Sequence, residues 1–218
     1  MTIFYYSFII LALLACLTVS FRIKKQQYLI LYLFVIVLLS LLAGLRYDNA
    51  DYENYLEIFK NPWEVSPDKG FSAFVLIVRW FTTSPIYMFL PVAIIAVSLN
   101  ISSYRKYSPY LFVSVLFYFV HSFLLKEYVQ IRAGLSCAIC LYAIRYIEYK
   151  SLWKYIACMV IAMSIHMSSI IFFPMFWVYY FMKNKSNSCL MYFLLLSFII
   201  GTLSVSYTHL TLPTICSV

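Results

Sequence analysis

Ionisable side chains stand inside or at the edge of long apolar stretches, where charge is costly. Arg46 and Arg132 carry planar guanidinium groups, whose N–H donors match the oxygens of a phosphate or a carboxylate. His166 can accept or donate a proton near neutral pH, and the carboxylates of Asp48 and Asp51 follow shortly after Arg46. Because ionisable groups at membrane depth are usually kept for function or for pairing, these residues are the candidates for chemistry.

Each candidate also has a purely structural interpretation. Arg46 can lie at the membrane interface and pair with a nearby aspartate, and Arg132 can extend its side chain to the same interface. His166, a lone histidine in an apolar helix, can be a hydrogen-bonded structural residue. Arg79 lies in a short apolar segment, where anchoring to the interface accounts for it. The residues alone leave both interpretations open.

The composition excludes a soluble enzyme. Of the 218 residues, 64% are hydrophobic and 11% are charged, whereas a soluble domain has about 45–50% apolar and about 25% charged residues. The net charge of +8 comes from basic clusters between apolar runs, where they orient helices, so we predict no nucleic-acid partner.

No nucleotide-binding or metalloprotease motif occurs, and the chain has only four glycines. Cys137 and Cys140 form a C-x-x-C pair, but their apolar neighbours favour helix packing over redox or metal chemistry. We therefore predict neither a cofactor nor a metal site.

The apolar runs and the charges between them predict an all-α fold, a polytopic transmembrane helical bundle. A helix needs about 20 residues to cross a bilayer core, and basic residues mark the cytoplasmic side. These rules give about eight spans, an N-terminus outside, and an acidic outer loop over residues 46–70. A segment before Ser84-Pro85 is too short to span, and we predict a short outer interfacial or re-entrant helix there, over residues 71–81. The predicted spans are residues 3–21, 28–45, 86–103, 109–125 and 128–146, two short crossings within 152–182 with a turn near His166-Met167-Ser168-Ser169, and a last one over 189–204.

The chain divides into one transmembrane domain, residues 1–204, and a tail, residues 205–218. The tail begins VSYTHLTLPT, which breaks the apolar pattern and resembles the translation of a transposon-end adapter used for sequencing libraries. We interpret it as a non-native tail on an N-terminal fragment. A polar loop after a short last helix is the alternative.

This topology places both arginines, Asp48, Asp51 and His166 in the outer half of the protein. Charge counting by itself does not impose that agreement. Two guanidinium groups, carboxylates and an imidazole around one outer cavity suit an anionic, phosphorylated amphiphile, with acid and base groups at hand.

At these residues the sequence resembles the EpsG-like branch of the Wzy-type bacterial polysaccharide polymerases. The similarity covers residues 40–180. The sequence departs from the family pattern at Ala50, where a glycine is usual, in a shortened spacing from arginine to aspartate, and at Ala133, where a glutamine is common. The matching stretches are Ala43-Gly44-Leu45-Arg46-Tyr47, Asp51-Tyr52, Tyr55 with Phe59, Ile131-Arg132-Ala133-Gly134-Leu135, and Ile161-Ala162 with His166-Met167-Ser168-Ser169 and Pro174.

The resemblance implies a membrane glycosyltransferase that joins glycan repeat units from undecaprenyl-diphosphate-linked donors, for exopolysaccharide, capsule or O-antigen. Such an enzyme is a multi-pass protein of the bacterial inner membrane that acts at the outer face, with a flippase and a chain-length regulator as expected partners. The roles implied are diphosphate binding for Arg46 and Arg132, catalysis for Asp51, His166 and Asp48, and aromatic sugar contacts for Tyr52 and Tyr55.

Two alternatives use the same residues. A transporter or flippase of lipid-linked sugars would bind through the arginines without catalysis. A non-catalytic membrane subunit of a polysaccharide export system would only pair its charges between helices. Transporters often contain paired broken helices, and this sequence shows one broken region, near Ser84-Pro85.

Overall fold

A computed structural model describes residues 2–21, 24–45, 51–183, 185 and 191–192. Over these ranges the chain is helical and contains no strand. It divides into two units, Met1–Phe173 and Pro174–Val218. The α-helices are α1 (Thr2–Ser20), α2 (Lys25–Gly44), α3 (Tyr52–Lys60), α4 (Pro62–Val65), α5 (Lys69–Phe81), α6 (Ile86–Tyr107), α7 (Leu111–Tyr118), α8 (Leu124–Lys126), α9 (Ile131–Glu148), α10 (Leu152–Ile165) and α11 (Met175–Met182).

Three helices in the described ranges are long and apolar enough to cross a membrane: α1 from Ile3, α2 and α6. The apolar run from α7 to α8 and helix α10 are shorter, about 24 Å and about 21 Å long at 1.5 Å per residue. An all-helical membrane fold is therefore confirmed, and the predicted count of about eight spans is not. The last predicted span, residues 189–204, lies outside the described residues except for Met191 and Tyr192.

Two helix boundaries fall where the sequence predicts them. Helix α6 begins at Ile86, directly after Ser84-Pro85, because proline suits the start of a helix and disfavours helical geometry in the residue before it. Helix α10 ends at Ile165, and a 3₁₀-helix (Met167–Phe172) follows. His166, between them, has an extended backbone. The polar residues at this point therefore interrupt the helix as predicted.

Helices α6 and α9 of the first unit run side by side in the same direction. Lys106, near the end of α6, forms an ion pair with Glu148 at the end of α9. Gly44, at the end of α2, lies against Leu90, near the start of α6. Helix α2 therefore runs antiparallel to α6. A Cβ atom at Gly44 would overlap Leu90, so the close approach requires glycine.

Two hydrophobic clusters meet along α6. Val97 belongs to a cluster formed with α1, α2 and α7. Phe89, two turns earlier, belongs to a second cluster formed with α3, α5 and α9. Helix α6 is thus the central element against which the short helices after α2 pack.

A buried polar cluster links α6, α7 and the segment before α9. The Glu127 carboxylate accepts hydrogen bonds from the Asn100 amide (2.8 Å) and from the Tyr118 hydroxyl (2.7 Å). These bonds offset the cost of burying a carboxyl group. A Cβ atom at Gly134 would overlap this carboxylate, so glycine leaves the room that Glu127 occupies.

The second unit is described over α11 and a few residues after it. The Phe176 ring packs against the rings of Trp177 and Tyr180 along this helix. The predicted tail, residues 205–218, lies outside the described residues.

Candidate functional site

The sequence-predicted site residues fall into two groups. Arg46 and Asp48 lie outside the described residues. Asp51 directly precedes α3, while Arg132 lies in the first turn of α9 and His166 follows α10. The structure brings Arg132 and His166 together, through a third residue that was not among the predicted site residues.

That third residue is Asp68, which joins α5 to α9. Nη1 of Arg132 donates a hydrogen bond of 2.8 Å to Oδ2 of Asp68. The Asp68 side chain is 8% exposed and that of Arg132 is 24% exposed. A carboxylate this buried requires a charged or hydrogen-bonded partner, and Arg132 supplies it.

The same carboxylate also faces the end of α10. Its Oδ2 atom lies 3.6 Å from Nδ1 of His166, and its Oδ1 atom accepts the backbone N–H of Met167 at 3.4 Å. The side chain of His166 is 33% exposed. The Ser169 hydroxyl donates to the His166 carbonyl at 2.6 Å, which fixes the backbone at the helix break. Asp68 is therefore shared by a guanidinium and an imidazole.

Tyr55 of α3 supports Arg132 from another side. The Arg132 guanidinium carbon lies 5.9 Å from the centre of the Tyr55 ring, within the range of a cation–π contact. Tyr55 is 3% exposed, and its ring edges pack against Phe71 and Phe89. Burial raises the pKa of the Tyr55 phenol above its usual value, although the Arg132 charge opposes that shift. The phenol therefore stays protonated at physiological pH.

Tyr52, one turn before Tyr55, is half-buried and stacks on Phe89 at 5.6 Å between ring centres. Asp51 is half-buried as well, and its charge acts on the Tyr55 phenol. The loop residues predicted from the sequence therefore lie beside the Arg132 cluster over the part of the loop that the structure describes.

A tight turn before α5 positions Asp68. The Asp68 backbone N–H donates to the Ser66 hydroxyl at 3.3 Å, and the Ser72 hydroxyl donates to the Pro62 carbonyl at 2.6 Å. The Lys69 ammonium donates to the Trp63 carbonyl at 2.8 Å. These bonds hold the segment that carries Asp68 against α4 and the start of α5.

Close packing of α5 on α10 brings Asp68 next to His166. A Cβ atom at Gly70 would overlap both the side chain and the backbone of Ser164. Only glycine permits this approach, and Ser164 lies just before the end of α10. The absence of a side chain at Gly70 is therefore part of how the site is built.

The cluster lies at one end of the parallel pair α6 and α9. Arg132 is in the first turn of α9, whereas Arg145 and the Lys106–Glu148 ion pair are at the other end. The cluster therefore lies at the helix ends away from these basic residues, and the charge-based topology predicts that those ends face outward.

Chemically, the cluster offers one guanidinium and one imidazole on a shared carboxylate. Such a set can bind an anion and transfer a proton. Over the described residues, no group of three or more His, Cys, Asp or Glu side chains lies close enough together to hold a metal ion.

Sequence reasoning missed Asp68 because it is one of several acids in the same loop. A signal was present, since Asp68 precedes Lys69-Gly70 and the apolar run of α5, where an aspartate is typical of a helix N-cap. In the structure Asp68 takes the N-cap position, but its side chain makes no capping hydrogen bond. Its carboxylate instead contacts Arg132 and Met167.

The chain contains helices that can cross a membrane, and a polar site at one end of the helices is formed by Arg132, Asp68 and His166. These features define an all-α membrane protein. The chain belongs to the EpsG family, whose sequence profile matches residues 29–216. It is also similar to the amylovoran biosynthesis protein AmsC of Erwinia amylovora, with 31% identity over 131 residues, which cover 52% of this chain and 35% of AmsC. The chain therefore covers about a third of the length of this curated relative. No solved structure matches the chain significantly.

Proposed function

We propose that this protein joins glycan repeat units carried on undecaprenyl diphosphate, at the outer face of the bacterial inner membrane. The product would be an exopolysaccharide, a capsule or an O-antigen. Membership of the EpsG family and similarity to an amylovoran biosynthesis protein support a role in polysaccharide assembly. The observation that carries the proposal is the Arg132 to Asp68 contact beside His166, at the helix ends away from Arg145 and Lys106.

Arg132 has the charge and the donors that a diphosphate needs. Asp68 engages one of its nitrogen atoms, and about a quarter of the side chain stays exposed. Charge-assisted hydrogen bonds are about twice as strong as neutral ones. Because negative charge grows on the diphosphate as the sugar leaves, a guanidinium held in place stabilises the transition state more than the bound substrate. Arg46 would supply a second guanidinium.

The reaction transfers a glycan, through C1 of the sugar attached to the diphosphate, from a lipid carrier to a hydroxyl group. The bond between sugar C1 and the diphosphate oxygen breaks, and the lipid diphosphate leaves with the electron pair. A hydroxyl oxygen of a second repeat unit forms the new bond to C1, and its proton passes to a base.

We assign His166 as that base. Asp68 lies beside Nδ1 and favours a proton on that atom, which leaves Nε2 to accept the hydroxyl proton. A distance of 3.6 Å is longer than a hydrogen bond, and such contacts often tighten once substrate binds. Asp51 and Asp48, which precede α3 in the sequence, are the alternative bases.

The aromatic sugar contacts stay a prediction for Tyr52 and Tyr55. Tyr52 is partly exposed and can offer a ring to a sugar. Tyr55 is buried, so we propose that it mainly supports the Arg132 guanidinium. A flippase that delivers the substrate and a chain-length regulator are proposed partners.

Complementation tests the proposal against a transporter. The full-length protein is expressed in a strain that lacks its own polymerase but keeps its flippase, and the glycan is resolved on a gel. A ladder of polymer lengths from the wild-type protein supports polymerisation. The transporter alternative predicts two results. The strain without a polymerase would show single repeat units only, and a second strain that lacks its flippase would recover full export of lipid-linked repeats.

A further inference from the structure

A cavity with two cationic residues in its lining lies where the end of α3 meets the end of α5. Its volume is about 390 Å³. It shares no lining residue with the Arg132 cluster. The residues that line it are Phe59, Lys60, Arg79, Thr82, Thr83 and Pro85.

The two cationic residues of the lining are Lys60 and Arg79. Nη1 of Arg79 donates to the Lys60 carbonyl at 3.2 Å, and the guanidinium lies 5.8 Å from the centre of the Phe59 ring. These contacts fix Arg79 at the last residue of α3. Among the described residues neither Lys60 nor Arg79 has a carboxylate within 4 Å, although Glu57 lies one turn earlier on α3.

The chemistry of the lining suits a phosphate group. Lysine and arginine supply charge-assisted donors, and the hydroxyl groups of Thr82 and Thr83 can donate as well. Because no carboxylate of the described residues is paired to the two cations, both are available to an anion in the cavity.

The surroundings of the cavity point to a lipid rather than to free phosphate. Trp80 and Phe81 follow Arg79 directly and are 89% and 85% exposed. The opposite face of α5 is buried, as at Phe71 and Val75. Large exposed aromatic rings next to cations are typical of segments that lie in the headgroup region of a membrane.

We propose that Lys60 and Arg79 bind the headgroup phosphate of a membrane glycerophospholipid, while Trp80 and Phe81 lie against the upper part of its acyl chains. The bound lipid would hold α5 in the membrane interface, and α5 begins next to Asp68. This binding site does not depend on the polymerase assignment.

Binding of a short-chain lipid tests the site directly. The purified full-length protein, in an uncharged detergent, is titrated with dihexanoyl phosphatidylglycerol and, separately, with inorganic phosphate. Lys60→Gln and Arg79→Gln should each weaken lipid binding about fivefold. Lys126→Gln, which removes a charge at the end of α8, should leave the affinity unchanged. Arg79→Lys keeps the charge and should recover most of the affinity, and the melting temperature of each variant reports its folding.

Trp80→Ala separates a lipid from free phosphate. It should weaken binding of the short-chain lipid and leave inorganic phosphate binding unchanged. Equal affinity for inorganic phosphate and lipid, with no effect of Trp80→Ala, would overturn the lipid assignment. Unchanged lipid affinity in folded Lys60→Gln and Arg79→Gln proteins would overturn the site itself.

Discussion

The Arg132 guanidinium donates a 2.8 Å hydrogen bond to the carboxylate of Asp68, which lies 64 positions earlier in the chain. The contact ties the first turn of α9 to the start of α5. The same carboxylate oxygen lies 3.6 Å from Nδ1 of His166. One buried carboxylate thus sets the position of both groups that we assign to binding and catalysis.

Asp68→Asn should lower stability and abolish polymer together. The substitution keeps the size of the side chain but leaves the Arg132 charge without its partner. The pair is partly buried, so we expect a loss of about 1–3 kcal/mol in the free energy of unfolding. Thermal unfolding in detergent measures it. Glu64→Gln, an exposed change on α4, is the matched control and should have no effect, and a wild-type melting temperature for Asp68→Asn would refute the structural role.

His166→Asn should remove turnover without loss of the fold. A missing general base typically costs about 10²–10⁴ in rate, and asparagine keeps a polar side chain at the helix break. Turnover per folded molecule is the quantity to measure. His121→Asn changes an exposed histidine that stacks on Phe117, and it should behave as wild type. Near-normal turnover of His166→Asn would show that His166 is not the general base and would favour Asp51 or Asp48 in that role.

The helix boundaries next to the site could be predicted because they depend on local signals. Ser84-Pro85 stops one helix and starts α6, and the polar residues after Ile165 end α10. The grouping of Arg132 with His166 followed from charge counting, since basic residues mark the opposite helix ends.

The contacts that build the site could not be predicted in the same way. Asp68 lies next to His166 because Gly70 lets α5 approach α10, and no spacing in the sequence encodes that packing. In the sequence Glu127 follows Lys126 between two predicted spans, a position that indicates a charged loop residue. In the structure it turns inward to Asn100, a contact between residues distant in sequence.

Gly70→Ala should displace α5 from α10 and separate Asp68 from His166. A Cβ atom at this position would overlap the side chain and backbone of Ser164, so the neighbouring helix has to move. We expect a lower melting temperature and a shorter polymer ladder. Ala73→Ser adds one atom on the exposed face of the same helix and serves as the control. Unchanged stability and polymer length for Gly70→Ala would show that the close approach is not required.

Cysteine labelling tests whether the loop before α5 lies on the outer side of the membrane. With the native cysteines replaced, Asn61→Cys should react with a membrane-impermeant maleimide in intact cells. Tyr149→Cys, at the opposite end of α9 and also exposed, should react only after the membrane is permeabilised. The reverse pattern would place the Arg132 cluster on the cytoplasmic side and contradict the proposed outer-face reaction.

The central claim is that Arg132 stabilises the departing lipid diphosphate. Its most direct test is the release of undecaprenyl diphosphate from a lipid-linked repeat unit by the purified full-length protein. Lysine keeps the charge but loses the planar fork, so Arg132→Lys should release almost none. Arg145→Lys is the same substitution at the other end of the same helix, and it should release the diphosphate at the wild-type rate. Equal rates for the two variants would contradict the assignment.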